Sequence, residues 1–229
     1  MAAPARSPGC APPSGAAEAY RPFPPAFAQE LDRLFRWRRD ERHFETTPLP
    51  TGLLDDLIAT ACLAPSVGYS QPWRFVKVDD EGRRRLVSAN FSACNAKALA
   101  DQPDSRAGLY ARLKLSGLNE APGHLAVFTD TGCGTGGGLG RATMPETLFH
   151  STILAVHTLW LAATARGVGV GWVSILDPLE VSEILDIPDH WRLAAYLCIG
   201  YSRAHATRPE LERCGWEQAL TRDRLVIAR

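Results

Sequence analysis

Neither sign of charge is in excess: 25 Lys and Arg balance 25 Asp and Glu in 229 residues, for a formal net charge of zero. A nucleic-acid binder normally carries a basic face, so this balance argues against such a partner. The six cysteines, Cys10, Cys62, Cys94, Cys133, Cys198 and Cys214, form no CxxC pair. A chain of this length needs no disulfide to hold a core, so free thiols in a reducing cytoplasm are expected. No run reads as a signal peptide, because Pro4, Pro8, Pro12 and Pro13 break the first segment and it has no apolar stretch. Internal repeats and linkers are also missing, which favours one domain.

What is present is a core-forming composition, 45% hydrophobic. Residues 1–25 are rich in Ala, Pro, Gly and Ser and read as a flexible tail outside the fold. From Pro25 the pattern turns helical, with Phe27, Leu31, Leu34 and Phe35 on one stripe. A second helix is expected from Thr51 to Leu63, stopped by Pro65. Strands are expected at Phe75–Val78, Leu125–Phe128, Val168–Ile175 and Leu193–Gly200, and a short helix at Leu179–Leu185. Interleaved helices and strands without βαβ regularity indicate an α+β fold, a central mixed sheet flanked by helices, over residues 26–229. The apolar run Leu148–Ala165 holds His150, Ser151, Thr152, His157 and Thr158, which a bilayer would penalise. It reads as a helix of a core or subunit interface, and no membrane partner is expected. Residues 90–118 stand apart as a polar insertion with a helix near Tyr110. Spacing alone leaves it open whether this is a plain connection or a lid.

Two motifs carry less than they promise. Gly132-x-Gly134-x-x-Gly137 follows a strand, but Gly138, Gly140 and Pro145 deny it the helix that a dinucleotide site needs. His150 and His157 share a helix face without a third ligand, so no metal site is expected.

Three segments have chemical character. Arg38-Arg39-Asp40-Glu41-Arg42 gathers three guanidiniums within five residues, suited to a phosphate or an electron-rich ring. A solvated helix end would look the same. Pro65-Ser66 through Gln71-Pro72-Trp73 is a loop of fixed shape, rich in backbone donors. In Gly167-Val168-Gly169-Val170-Gly171-Trp172-Val173-Ser174, glycines allow a flat ligand to approach and Ser174 adds a donor. Without a further clue, Ser174 is a strand serine satisfied by backbone.

In this order the three segments resemble the FMN-binding nitroreductase family, over about residues 27–226. The resemblance implies an intertwined homodimer with FMN in the subunit interface, and a dimer core built on the long apolar helix. Asp40 stands where that family usually has Ser. Together with Ser174, Leu113-Lys114-Leu115 and Ile187-Pro188-Asp189-His190, it resembles a branch that consumes its flavin. In that branch reduced FMN and molecular oxygen give 5,6-dimethylbenzimidazole, the lower ligand of cobalamin, with erythrose 4-phosphate and dialuric acid. FMN is then substrate, a separate flavin reductase supplies it reduced, and no metal takes part.

The resemblance implies catalytic roles for Asp40, as a proton shuttle, and for Ser174, as donor or relay. Flavin binding would fall to Arg38, Arg39, Asp40, Arg42, Ser66, Trp172, Val173, Ser174 and Arg213, with Arg208 as the alternative to Arg213. The insertion would close over the flavin and keep water away. Rival expectations are an NAD(P)H-dependent nitroreductase or flavin reductase that keeps its FMN, a reductive dehalogenase with Ser or Thr in place of Asp40, and a non-catalytic flavin-binding module.

Overall fold

A computed structural model describes residues 22–229. Residues 1–21, with most of the expected tail and Cys10, lie outside the described residues. Helix α1 (Pro25–Trp37) starts on a proline, whose fixed φ suits a first turn, and α2 (Leu53–Ala61) carries Asp55 and Asp56 at its positive end. Strand β1 (Trp73–Lys77) follows, then α3 (Glu81–Ala100) and α4 (Asp104–Tyr110). Strand β2 (Gly123–Asp130), helix α5 (Thr147–Ala165), β3 (Gly169–Val173), α6 (Pro178–Ile184), β4 (Trp191–Gly200) and α7 (Glu210–Arg213) complete the order.

The strands run β1-β2-β4-β3, each pair antiparallel. The sheet is therefore antiparallel and not mixed as expected; one isolated parallel bridge, Asp40 to Val170, lies at its β3 edge. Alternation along the central strands gives two buried faces. Leu125 and Val127 of β2, with Ala195, Leu197 and Ile199 of β4, pack beneath α2 and α5. Ala126 and Phe128, with Tyr196 and Cys198, pack beneath α3 and α6. Every residue of β2 is buried, as a strand covered on both sides requires.

Where no helix was expected, residues 81–100 form the 20-residue helix α3, which takes in the first part of the 90–118 insertion. Its sequence conceals it, because only Val87 and Asn90 are buried and no broad apolar stripe marks the inner face. The start was legible: Asp80 caps it, Oδ1 accepting the Arg83 N–H at 2.8 Å. Helix α5 is long and apolar enough to span a membrane by length and composition. It packs one side on α2 and the sheet, while Phe149 and Leu154 stay exposed on the other. Helix α1 buries no residue, and Phe27, Phe35 and Trp37 are about half exposed.

Among the polar groups under α3 and α6 is His124, 1% exposed, whose Nδ1 lies 2.9 Å from the Tyr196 hydroxyl. The two residues sit diagonally across β2 and β4 on one face, since His124 pairs with Cys198 and Ala126 with Tyr196. Burial, and after it the positive Arg84, pushes the imidazole pKa from 6.5 down to about 4. As pH falls the unfolded chain therefore binds this proton first. The contribution is complete above about pH 6.5, declines toward pH 4 and levels off below it. In urea titrations, wild type should lose about 2 kcal/mol more than His124→Gln between pH 7.5 and pH 5. Equal losses would mean that this histidine takes up its proton as readily in the folded as in the unfolded chain.

Candidate active site

After α1 the chain runs extended through Arg38–Phe44, and alternation divides its side chains between two sides. Arg38, Asp40 and Arg42 share one side; Arg39, Glu41 and His43 share the other. Two cavities reflect this division. One, of about 360 Å³, is lined by Arg38, Trp160 and Trp172 with Ile153, Leu154 and His157 of α5. The other, of about 660 Å³, lies between α1 and the end of α5 and includes Arg39, Glu41 and Gly169.

Asp40 is the junction. Its Oδ1 accepts the Trp172 backbone N–H at 2.9 Å. Its Oδ2 accepts Arg42 Nε–H at 3.1 Å and Nη2–H at 2.7 Å. The remaining Arg42 amine donates to the Lys114 carbonyl at 3.1 Å, joining the end of the insertion to the motif. The Arg42 side chain is only 14% exposed, and that of Asp40 33%. Lys114 in turn pairs with Glu120. The Leu113-Lys114-Leu115 segment thus lies against Asp40 through Arg42.

The other two guanidiniums differ. Arg38 lies over the Trp160 ring, 5.3 Å from its centroid. Arg39 donates to the Arg38 and Thr207 carbonyls, while its Nε is buried without a partner. Burial, and then the neighbouring Arg38 charge, lowers its pKa. On the same side His43 Nε2 lies 3.1 Å from Glu210 Oε1, bringing α7 alongside. Arg213 is exposed at the end of α7, and Arg208 makes a long 3.7 Å pair with Glu212.

The loop after α2 is rigid. Ser66 Oγ accepts the Gln71 N–H at 3.1 Å, and the Val67 N–H donates to Ser151 Oγ of α5 at 3.0 Å. Tyr69 and Gln71 have φ of 55° and 46°, a left-handed conformation costly for side-chain-bearing residues. Arg74 holds this turn by donating to the Gln71 carbonyl at 3.1 Å while pairing with Asp130 at 2.6 Å. The Gly132–Gly140 run packs here too: a Cβ on Gly136 would lie 2.2 Å from the Gly68 carbonyl oxygen. Gly136, with Gly140 against Val67, serves a loop-on-loop contact.

Trp172 is partly buried, its ring 6.4 Å from that of Trp160, and Val173 is buried. Ser174 is exposed just past the end of β3. The glycines of β3 do something other than admit a flat ligand. A Cβ on Gly171 would stand 2.0 Å from the Glu41 carbonyl oxygen, and one on Gly169 3.0 Å from Glu41 Cγ. They let the Asp40–Glu41 backbone lie against the strand, where the Glu41 N–H donates to the Val170 carbonyl at 3.0 Å.

The structure therefore joins Asp40 to Arg42 and to the Trp172 backbone, and brings Arg38 near Trp172 through Trp160. The Val173 side chain turns to the opposite face of the sheet, into the core under α3 and α6, and Ser174 follows at the end of the strand. Ser66 belongs to the neighbouring loop and Arg213 to α7. Trp160 and the Lys114 carbonyl were not singled out from sequence. Trp160 looked like one more apolar residue of a long helix, and a backbone carbonyl leaves no residue signal. A cation and two indoles lining a cavity of this size suit a flat heteroaromatic ligand bearing an anionic group, and the Asp40 carboxylate is bonded to the backbone of one of those indole residues. Among the described residues no group of three or more His, Cys, Asp or Glu has the geometry to hold a metal.

Comparison with known proteins gives a consistent picture. The Nitroreductase family pattern matches residues 35–201. A 5,6-dimethylbenzimidazole synthase of Rhodospirillum rubrum is 57% identical over 195 residues, 85% of this chain and 92% of that protein. A protein of the same name from Rhodobacter capsulatus is 46% identical over 190 residues, 83% of this chain and 92% of that one. Among solved structures, iodotyrosine deiodinase bound to FMN and 3-iodo-L-tyrosine superposes with a TM-score of 0.66 at 26% identity. The match covers 84% of this chain and 97% of that one.

The close approach at β3 has a direct consequence. Gly171→Ala should cost about 2 kcal/mol or more by overpacking, read as a lowered melting temperature. Gly134→Ala, with open space around it, should stay within about 0.5 kcal/mol of wild type. Equal effects would contradict the contact between Glu41 and β3.

Proposed function

This chain belongs to the Nitroreductase family, and we propose that it converts reduced FMN and molecular oxygen to 5,6-dimethylbenzimidazole, releasing erythrose 4-phosphate and dialuric acid. Relatives of that name at 57% and 46% identity support the reaction. The observation that carries it within the fold is Asp40, a carboxylate held by three N–H donors, one of them the backbone of Trp172, which lines the cavity with Arg38 and Trp160. FMN, bound there as substrate, supplies the electrons that reduce oxygen and the ring and side-chain carbon of the product.

Each residue has a part in this. Three donors leave the Asp40 carboxylate an acceptor, so the first proton it moves is one it receives; it later returns a proton as the ring is dismantled. A positioned acid–base group of this kind is worth about a hundred- to ten-thousand-fold, and an alcohol is far poorer at the task. Ser174 Oγ donates or relays a proton at the same edge. Arg38 binds the phosphate or the pyrimidine side directly. Arg39 and Arg42 shape the pocket through the carbonyls and the carboxylate they hold. Ser66 fixes the loop whose backbone faces the ligand, and Trp172, with the backbone of Val173, forms the floor. Arg213, with Arg208 as the alternative, contributes to the phosphate. The insertion, joined to Arg42 at Lys114, closes the site against water.

The active form is a homodimer. Phe149 and Leu154 on α5, Phe27, Phe35 and Trp37 on or at the end of α1, and Leu225–Ile227 near the C-terminus leave a large apolar surface uncovered in one chain. A separate flavin reductase delivers the reduced FMN, and the enzyme is cytoplasmic.

Chemically reduced FMN mixed with the protein in air should give 5,6-dimethylbenzimidazole by mass spectrometry. Steady NAD(P)H oxidation without that product would instead mark a nitroreductase or flavin reductase. Asp40→Asn should retain flavin binding and lose at least about a hundredfold in product formation. Ser174→Gly should bind flavin and return it as intact oxidised FMN. Normal turnover by Asp40→Asn would remove the carboxylate from the mechanism.

A further inference from the structure

Asn90 lies in the middle of α3, far along the chain from either catalytic residue, and is 2% exposed. A buried amide must find partners for its donor and its acceptor, and here both lie at the start of α6. Asn90 Oδ1 accepts the Asp177 backbone N–H at 3.0 Å. Asn90 Nδ2–H donates to Glu180 Oε2 at 2.5 Å. Asp177 is itself the cap of α6, its Oδ1 accepting the Leu179 and Glu180 N–H groups at 2.9 and 3.2 Å. One buried side chain therefore grips both the capping residue and the first-turn carboxylate of that helix.

What precedes the cap is Ser174-Ile175-Leu176. This connection has one end in the sheet, where Val173 pairs with Tyr196, and the other at the Asp177 N–H. Three residues between two fixed ends have little freedom, whereas the same three beyond a loose cap would let Ser174 wander. Ser174 is exposed and not packed into the core. Its direction is therefore set by where its connection is anchored.

We propose that Asn90 is a positioning residue for the flavin-fragmenting reaction: through the Asp177 N–H and Glu180 it fixes the connection that aims Ser174. This rests on the reaction assigned above, and it makes the insertion more than a cover. Helix α3 holds the Ser174 side of the site, while the insertion's end at Lys114 engages Arg42 and Asp40 on the other.

A donor–acceptor swap tests it. In Asn90→Asp, two carboxylates meet at the Glu180 contact and repel. In Asn90→Asp with Glu180→Gln, the new amide donates to the new carboxylate and both hydrogen bonds return. Amide exchange of residues 174–178, followed by mass spectrometry on flavin-free protein, should quicken in the single variant and recover in the double. With reduced FMN in air, product per flavin oxidised should fall at least about tenfold in the single variant. The difference should appear as intact oxidised FMN, and the double variant should recover, with FMN affinity unchanged throughout. Unchanged exchange, an unchanged product yield, or a loss that the double variant does not restore would overturn the proposal. A melting temperature that falls alone would mark Asn90 as merely structural. Wild-type protein that forms no product refutes the assigned reaction instead, a failure that the exchange measurement keeps separate.

Discussion

One carboxylate with three N–H donors organises this molecule. Asp40 is gripped by the backbone of β3 through Trp172 and by Arg42 from its own segment, and Arg42 carries the contact on to the Lys114 carbonyl. A partly buried carboxylate is costly unless its oxygens are bonded, and these contacts meet that cost. They also join three stretches of chain distant in sequence: the segment after α1, the edge strand of the sheet and the end of the insertion. The glycines of β3 make the first contact possible, because a side chain at position 171 would occupy the space of the Glu41 carbonyl.

The same contacts explain why three clustered arginines do three different things. An extended chain turns successive side chains to opposite sides. Arg42 is taken up by Asp40, Arg39 is drawn to the Thr207 carbonyl, and Arg38 rests on Trp160 beside the cavity. Local charge density says nothing of that division; alternation does.

Much of the fold was legible in the sequence, since its elements bury one face and show the corresponding period. Helices α1, α2 and α6 and all four strands fall close to where apolar spacing puts them. Helix α3 was not, because its inner face holds little beyond Val87 and Asn90 and hydrophobic periodicity has nothing to follow. In the site, the three motifs were readable as motifs, but not the purpose of each residue. Gly171 and Gly136 answer to neighbouring backbone in space, and no spacing rule reports a neighbour so distant along the chain. Asn90 looked like one polar residue among many in the insertion, since burial of an amide is a tertiary property.

The proposed reaction stands on the carboxylate of Asp40 meeting the flavin. A crystal structure of the protein with oxidised FMN measures that most directly. The expected result is an Asp40 oxygen within hydrogen-bonding reach of a polar atom of the isoalloxazine or of the ribityl hydroxyl nearest the ring, about 3 Å directly or through one water, with Trp172 N–H and Arg42 still bound to it. A flavin seated elsewhere, with Asp40 serving only to hold Arg42 and β3, would contradict it.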